Sequence, residues 1–239
     1  MPSLSTGLKS VSGAGLVAAT ALAMILPAAS SGAEPPAIRP SQLLAIVVEA
    51  HTAVLPTGTR RVQPSQPITG EQTALPVLGR RVTGDGVAWL LVMLPGRPNG
   101  TRGWIEQRGT RRATTHWRLL VETTRRRLRV YRNGQLVRDF PAVVGKPSTP
   151  TPHGHFFVEE SVRVTGGSAG GPFALALNAH SEILRTFDGG PAQIAIHGVA
   201  NLDGAVGTAS SHGCVRLADR AIRWLAGHVT PGVPVDITD

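Results

Sequence analysis

A mainly β fold is what this sequence predicts, and three observations predict it. Apolar residues fall in short runs of Val, Leu and Ile. The 28 glycines and 19 prolines, about one residue in five, punctuate those runs with turns. Only one segment carries helical periodicity. The 239 residues are 41% hydrophobic and 16% charged, which excludes a disordered, collagenous or coiled-coil chain. The expected architecture is an antiparallel β-sandwich over residues 116–239, with one short helix, preceded by a small β domain over residues 41–110.

Residues 1–33 read as a signal peptide. Lys9 supplies the positive start, Val11 to Leu26 the small-residue apolar core, Pro27 its break, and Ser31-Gly32-Ala33 the small residues before the cut. The stretch is shorter and less apolar than a stable span needs, so no membrane span is expected after processing and the chain is expected to be secreted. Residues 34–40 are Pro-rich and read as a linker. Leu43 to Val48 is the next apolar run. Ala88 to Leu94 follows, and then Gly103-Trp104-Ile105 across a loop holding Asn99-Gly100, a strong turn signal. This Trp-bearing hairpin resembles that of a bacterial SH3-like barrel. Gln107 to Thr115, with Arg111-Arg112, reads as turn chemistry and as the domain boundary, which makes residues 41–110 a module of their own.

In the second domain Trp117 to Thr123 reads as a strand. Arg127 to Arg132 alternates, Asn133-Gly134 turns, and Gln135 to Val144 returns as the partner of a hairpin. Thr149 to Gly154 is a rigid turn before the apolar run His155 to Val158. Gln193 to Ile196 is a short strand ending at His197. The helix is placed at Ala218 to Ala226, with Leu217, Ala221, Ile222 and Leu225 on one face and Gly227 as its stop.

The formal charge is +9, and removing residues 1–33 takes away only Lys9, leaving +8. The basic residues are almost all arginine and cluster at Arg60-Arg61, Arg80-Arg81, Arg111-Arg112 and Arg125-Arg126-Arg127. Such a field draws polyanions. With an export signal and no nucleic-acid-binding motif, anionic cell-wall polymers are the expected partner and nucleic acid is not.

One cysteine excludes an internal disulfide and a multi-cysteine metal site. Cys214 sits in Ser211-His212-Gly213-Cys214-Val215-Arg216, a loop too rich in Gly and Ser to be an ordinary burial place. A free thiol is mostly protonated at neutral pH and needs an imidazole to take its proton. His212 is two residues away, on the same face of an extended chain, and His197 ends a strand upstream. The spacing alone does not choose between them. Gly213 gives the backbone freedom to aim N–H groups at a developing oxyanion, which fits acyl transfer.

Ile196-His197-Gly198, an intervening loop, and Ser211-His212-Gly213-Cys214-x-Arg216 together resemble the active-site motif of the L,D-transpeptidases, the YkuD-domain family. The resemblance covers residues 116–239, including Val144-Gly145-Lys146 and Thr151-Pro152-His153-Gly154. The loop between His197 and Ser211 is slightly shorter than usual for the family. The resemblance implies that Cys214 is the nucleophile attacking peptidoglycan stem peptides at their third residue, with release of D-alanine and formation of 3-to-3 cross-links. It further implies that His197 is the general base and acid, that His212 shapes and polarises the site, that Ser211 supports the loop, and that Gly213 with Cys214 lends oxyanion donors. By the same resemblance Arg216 is expected to anchor the turn or meet a stem carboxylate. No cofactor or metal is implied. Two rivals compete with this reading. His153 and His155 with His197 and His212 invite a secreted zinc peptidase, which leaves Cys214 without a role. A non-catalytic wall-binding protein leaves the whole Ser-His-Gly-Cys segment unexplained.

Overall fold

The computed structural model describes residues 38–165 and 167–239. The expected signal peptide, and the linker up to residue 37, lie outside the described residues. Two large sheets account for most of the rest.

The first sheet has seven strands: β1 (Gln42–Val47), β2 (His51–Leu55), β3 (Gly58–Val62), β4 (Ala74–Val82), β5 (Ala88–Met93), β6 (Arg102–Glu106) and β7 (Thr110–Thr115), in the order β3-β2-β6-β5-β4-β1-β7. The Trp-bearing hairpin forms as the sequence predicts. β5 and β6 pair antiparallel with Leu91 opposite Trp104, and Gly100 in their loop takes a positive φ of 75°. Thr110–Thr115 corrects the reading of turn chemistry there, because it is an edge strand paired along its whole length with β1. Its Arg-Arg pair is exposed, so it lacks the apolar alternation that marks a half-buried strand, and β-branched Thr holds the extended backbone.

The second sheet runs β10-β9-β8-β17-β12-β13-β14-β16, from β8 (Trp117–Glu122), β9 (Arg127–Arg132), β10 (Gln135–Pro141), β12 (Gly154–Arg163), β13 (Phe173–His180), β14 (Gln193–Gly198), β16 (Val215–Leu217) and β17 (Pro234–Thr238). Most of its pairs are antiparallel, but β14 with β16 and β17 with β8 are parallel. A parallel two-stranded piece joins β11 (Val144–Gly145) to β15 (Ala209–Ser211). Asn133 and Gly134 both take positive φ, 52° and 77°, which is the turn that matches strand twist in the β9–β10 hairpin.

The helix α1 (Asp219–Ala226) lies where its periodicity places it, burying Ala221, Ile222 and Leu225, and it packs on β13 and β14. Leu119, Val130, Leu175, Ile196, Val215 and Ile222 share one core, so both ends of the sheet close over the same apolar interior in a sandwich-like arrangement. The neighbours Phe156 and Phe157 on β12 separate the two cores. Phe156 enters this one, and Phe157, on the opposite face, completes the core of the first sheet beside Leu90, Leu94 and Ile105. Residues 41–110 therefore share apolar burial with β12.

Candidate active site

Cys214 and Arg216 follow each other at two-residue spacing into β16, whose Val215 points to the core. The parallel pairing of β16 with β14 sets Ile196 opposite Val215 and His197 opposite Arg216. Alternation then puts His197, Cys214 and Arg216 on the same side of the pair. All three line one pocket of about 200 Å³, together with His212, Gln193 and Phe187. A larger groove of about 590 Å³, lined by Arg111, Trp117, Arg132 and His228 among others, contains neither Cys214 nor His197.

The thiol is held by backbone. Ala195 N–H donates to Sγ at 3.4 Å, and Sγ faces the carbonyl of Gln193 at 4.0 Å. Burial pushes the Cys214 thiol above the ordinary thiol range, against the smaller opposing pull of Ala195 N–H and the Arg216 charge. Burial likewise pushes His197 below the ordinary imidazole value, and Arg216 adds to that while the bond to Gly198 opposes it. Both shifts favour the uncharged forms, the thiol and the neutral imidazole. His197 Nδ1–H donates to the carbonyl of Gly198 at 2.8 Å, which fixes the tautomer and leaves Nε2 with the free lone pair.

The chain closes tightly over this histidine. A Cβ on Gly170, whose φ is +81°, would lie 2.8 Å from His197 Nδ1, and one on Gly198 would collide with the carbonyl oxygen of Gly171. Gly198 N–H in turn donates to Gly170 O at 2.9 Å.

Ser211, fully buried, shapes the Cys214 loop by donating to the carbonyl of Cys214 at 2.6 Å and accepting the N–H of Gly213 at 3.1 Å. Gly213 takes a φ of +123°, a conformation that L side chains rarely adopt. Its N–H is engaged by Ser211. Two buried threonines complete the frame. Thr151 Oγ1 donates to Gly213 O at 2.8 Å and accepts Gly145 N–H at 2.9 Å, and Thr149 Oγ1 donates to Ser211 O at 3.3 Å. The sequence reading had noted the Thr-Pro turn without assigning it these contacts. Two buried hydroxyls flanking a proline were the available signal.

His212 is exposed, unlike His197. Lys146 Nζ donates to its Nε2 at 3.4 Å, and its ring lies 5.2 Å from that of Phe187. Arg216 is 9% exposed and donates to Asp203 O at 2.6 Å, while its Nε is buried without a partner among the described residues. Gln193, which the sequence reading missed, donates through Nε2 to Glu159 Oε2 and to Leu177 O, both at 2.8 Å. Glu159 is buried, its carboxyl pushed up to about 7 by burial.

The structure separates the four histidines of the zinc reading. His155 Nδ1 lies 2.7 Å from Asp236 Oδ1, and His153 contacts Thr123 and Asp239, so neither joins the pocket that holds His197 and His212. Among the described residues no group of three or more His, Cys, Asp or Glu is placed to hold a metal ion.

His197 lies on β14 and Cys214 stands just before β16, so a thiol and a tautomer-fixed imidazole line one pocket, an arrangement whose chemistry suits nucleophilic acyl transfer. The model of the YkuD family, the L,D-transpeptidase catalytic domain, matches residues 116–237, and the chain belongs to that family and is an acyltransferase. It is 32% identical over 125 residues to a YkuD protein of Bacillus licheniformis, covering 52% of this chain and 67% of that one. It is also 32% identical over 120 residues to L,D-transpeptidase 1 of Mycobacterium tuberculosis, covering 45% of each. This chain thus spans less than half the length of the mycobacterial relative. A crystal structure of an L,D-transpeptidase from Mycobacterium tuberculosis aligns over 64% of this chain and 90% of its own, at 16% identity and a TM-score of 0.43. L,D-transpeptidases act on the stem peptides of cell-wall peptidoglycan, which places the reaction outside the cytoplasm. Among the described residues no helix is long and apolar enough to cross a membrane.

Proposed function

We propose that this chain cross-links peptidoglycan through a cysteine thioester, joining the third residues of two stem peptides. The observation that carries the reading is the single pocket in which β14 and β16 set Cys214, His197 and Arg216 side by side. As Sγ attacks the carbonyl of the third stem residue, its proton passes to His197 Nε2. The oxyanion is met by the N–H of Cys214, joined by that of Gly213 once it leaves Ser211 Oγ. His197 then gives the proton to the departing amine of D-alanine, leaving the thioester. An amine from a neighbouring stem attacks this thioester, His197 takes its proton, and the thiol is released with the new amide bond. Arg216, whose Nε is buried and unpartnered among the described residues, steadies charge beside the thiol, and His212 borders the acceptor side.

Residues 1–33 are a signal peptide in this reading, 34–40 a linker, and the mature protein is secreted to the wall. Residues 41–110 form an SH3-like module and 116–239 the catalytic domain. The exposed Arg111 and Arg132 along the larger groove support attachment to anionic wall polymers. The test is incubation of the mature protein with a purified disaccharide tetrapeptide and mass analysis of the products. A cross-linked dimer lacking one D-alanine is expected. An unchanged tetrapeptide overturns the reading, and a tripeptide alone makes the enzyme a hydrolase.

A further inference from the structure

We propose that Arg97, in the β5–β6 loop of the first sheet, is a positioning residue for the loop that walls the Cys214 pocket, and so governs how tightly the donor stem is held. This rests on the reading of that pocket as the donor-stem site. Residues 181–192, between β13 and β14, supply Ser181, Leu184, Phe187, Asp188 and Ala192 to the pocket wall. The loop has few ties of its own. Ser181 N–H donates to Ala192 O at 2.9 Å at its base, Phe187 and Gly190 exchange bonds at its tip, and Ser181 Oγ accepts from Ile183 and Leu184 N–H. Ile183 and Phe187 are exposed, so apolar burial does little to fix it.

Arg97 reaches this loop from a different sheet. Its Nη1 donates to Ser181 O at 2.8 Å, and its Nη2 to Leu184 O at 2.9 Å and Pro191 O at 3.3 Å. One planar guanidinium thereby ties both stems of the loop and its body. Asn99 secures the end of β13 just before it, donating to His180 O at 2.8 Å and accepting His180 N–H at 2.9 Å. Arg97 is itself anchored, because Arg60 on β3 donates to the carbonyls of Pro95 and Arg97, the latter at 2.7 Å. At the far end Phe187 meets the His212 ring, so the line of contacts from Arg60 ends on the nucleophile loop. Charge-assisted bonds of a half-buried Arg are among the stronger single ties a loop can have.

The experiment compares wild type, Arg97→Ala and Arg97→Lys in the full mature chain, reading amide hydrogen exchange, steady-state kinetics on disaccharide tetrapeptide, and alkylation of Cys214 by iodoacetamide. In Arg97→Ala, exchange across residues 182–191 should rise about tenfold or more while the β8–β9 hairpin stays protected, as expected for lost charged hydrogen bonds. KM should rise about tenfold with kcat and the alkylation rate within about twofold, because the thiol and His197 are untouched. Arg97→Lys should recover part of the loss. Unchanged loop exchange, or exchange that rises equally in β8–β9, overturns the proposal, as does a fall in kcat with KM unchanged. Should wild type leave the tetrapeptide intact, the functional reading fails, and the exchange data still decide whether Arg97 holds the loop.

Discussion

The hydroxyl of Ser211 donates to the carbonyl oxygen of Cys214 at 2.6 Å while accepting the N–H of Gly213 at 3.1 Å, so one buried side chain fixes the backbone on both sides of the Cys214 amide. Ser211→Ala leaves a buried donor and acceptor without their partner, at a cost of about 1–3 kcal/mol. The loop should then lose its aim. The expected result is a lower melting temperature and a fall in kcat/KM, with the pH profile of Cys214 alkylation unmoved, because no titrating group is altered. A variant with wild-type stability and turnover would show that the Ser211 bonds are dispensable.

Cys214→Ser should abolish nearly all turnover. The hydroxyl is far less acidic than the thiol, and a His197 whose basicity is already lowered by burial and by Arg216 is a poor base for it. Product formation from disaccharide tetrapeptide measures this, with Cys214→Ala as the blank. Turnover by the serine variant at the wild-type rate would remove the thiol from the mechanism.

The pH dependence follows from two opposed shifts. His197 is held below its ordinary value and becomes a competent base at a pH lower than usual, whereas Cys214 is held above its ordinary value and ionises by itself only at high pH. Stem-peptide acylation should therefore show a broad plateau, beginning below the ordinary imidazole value of about 6.5 and extending past the ordinary thiol value of about 8.5. His197→Ala should lose that plateau, by about 10²- to 10⁴-fold at neutral pH, leaving only a rise in alkaline solution. His212→Ala should keep the shape of the profile. The roles are reversed if His212→Ala loses the plateau and His197→Ala retains it.

Glu159 gives a stability prediction with a definite sign. Its carboxyl titrates at about 7 in the folded chain against 4.5 ordinarily, so between those values the folded state holds the extra proton and stability falls as pH rises. Glu159→Gln removes that penalty while leaving an acceptor for Gln193. It should stabilise the protein by about 1–3 kcal/mol at pH 8 relative to pH 5, read by denaturant unfolding at both. Equal shifts at the two pH values would mean that the carboxyl is not the source.

The first sheet and the second are coupled through Phe157, fully buried among Leu90, Leu94 and Ile105. A domain boundary near residue 116 by itself implies that removal of residues 34–110 leaves an intact catalytic domain. With Phe157 laid bare and the Arg97 ties gone, the isolated second domain should instead lose about 2–3 kcal/mol from that side chain alone, seen as a lower unfolding midpoint. An isolated domain that melts with the full chain would make the shared burial inconsequential.

What was legible in the sequence was what local chemistry encodes. The Asn133-Gly134 turn, the Trp-bearing hairpin and the Ala221-Ile222-Leu225 face are set by a few neighbouring residues, and Ser-His-Gly-Cys is too specific to arise from packing needs. What escaped notice depends on distant partners. Phe173–His180, a run of alternating Ala and Leu, has weak intrinsic β preference and becomes a strand because β12 and β14 flank it. The parallel register that sets His197 opposite Arg216 leaves no local mark. Nor does Arg97, whose role comes from residues 84 to 94 positions away.

The most direct test of the thioester is the intact mass of the protein itself during turnover of disaccharide tetrapeptide, quenched in acid. The account predicts a transient adduct equal to the donor less D-alanine, located on the peptide containing Cys214 and missing in Cys214→Ala. Continued product formation with no adduct on Cys214, or the same adduct in Cys214→Ala, would contradict it.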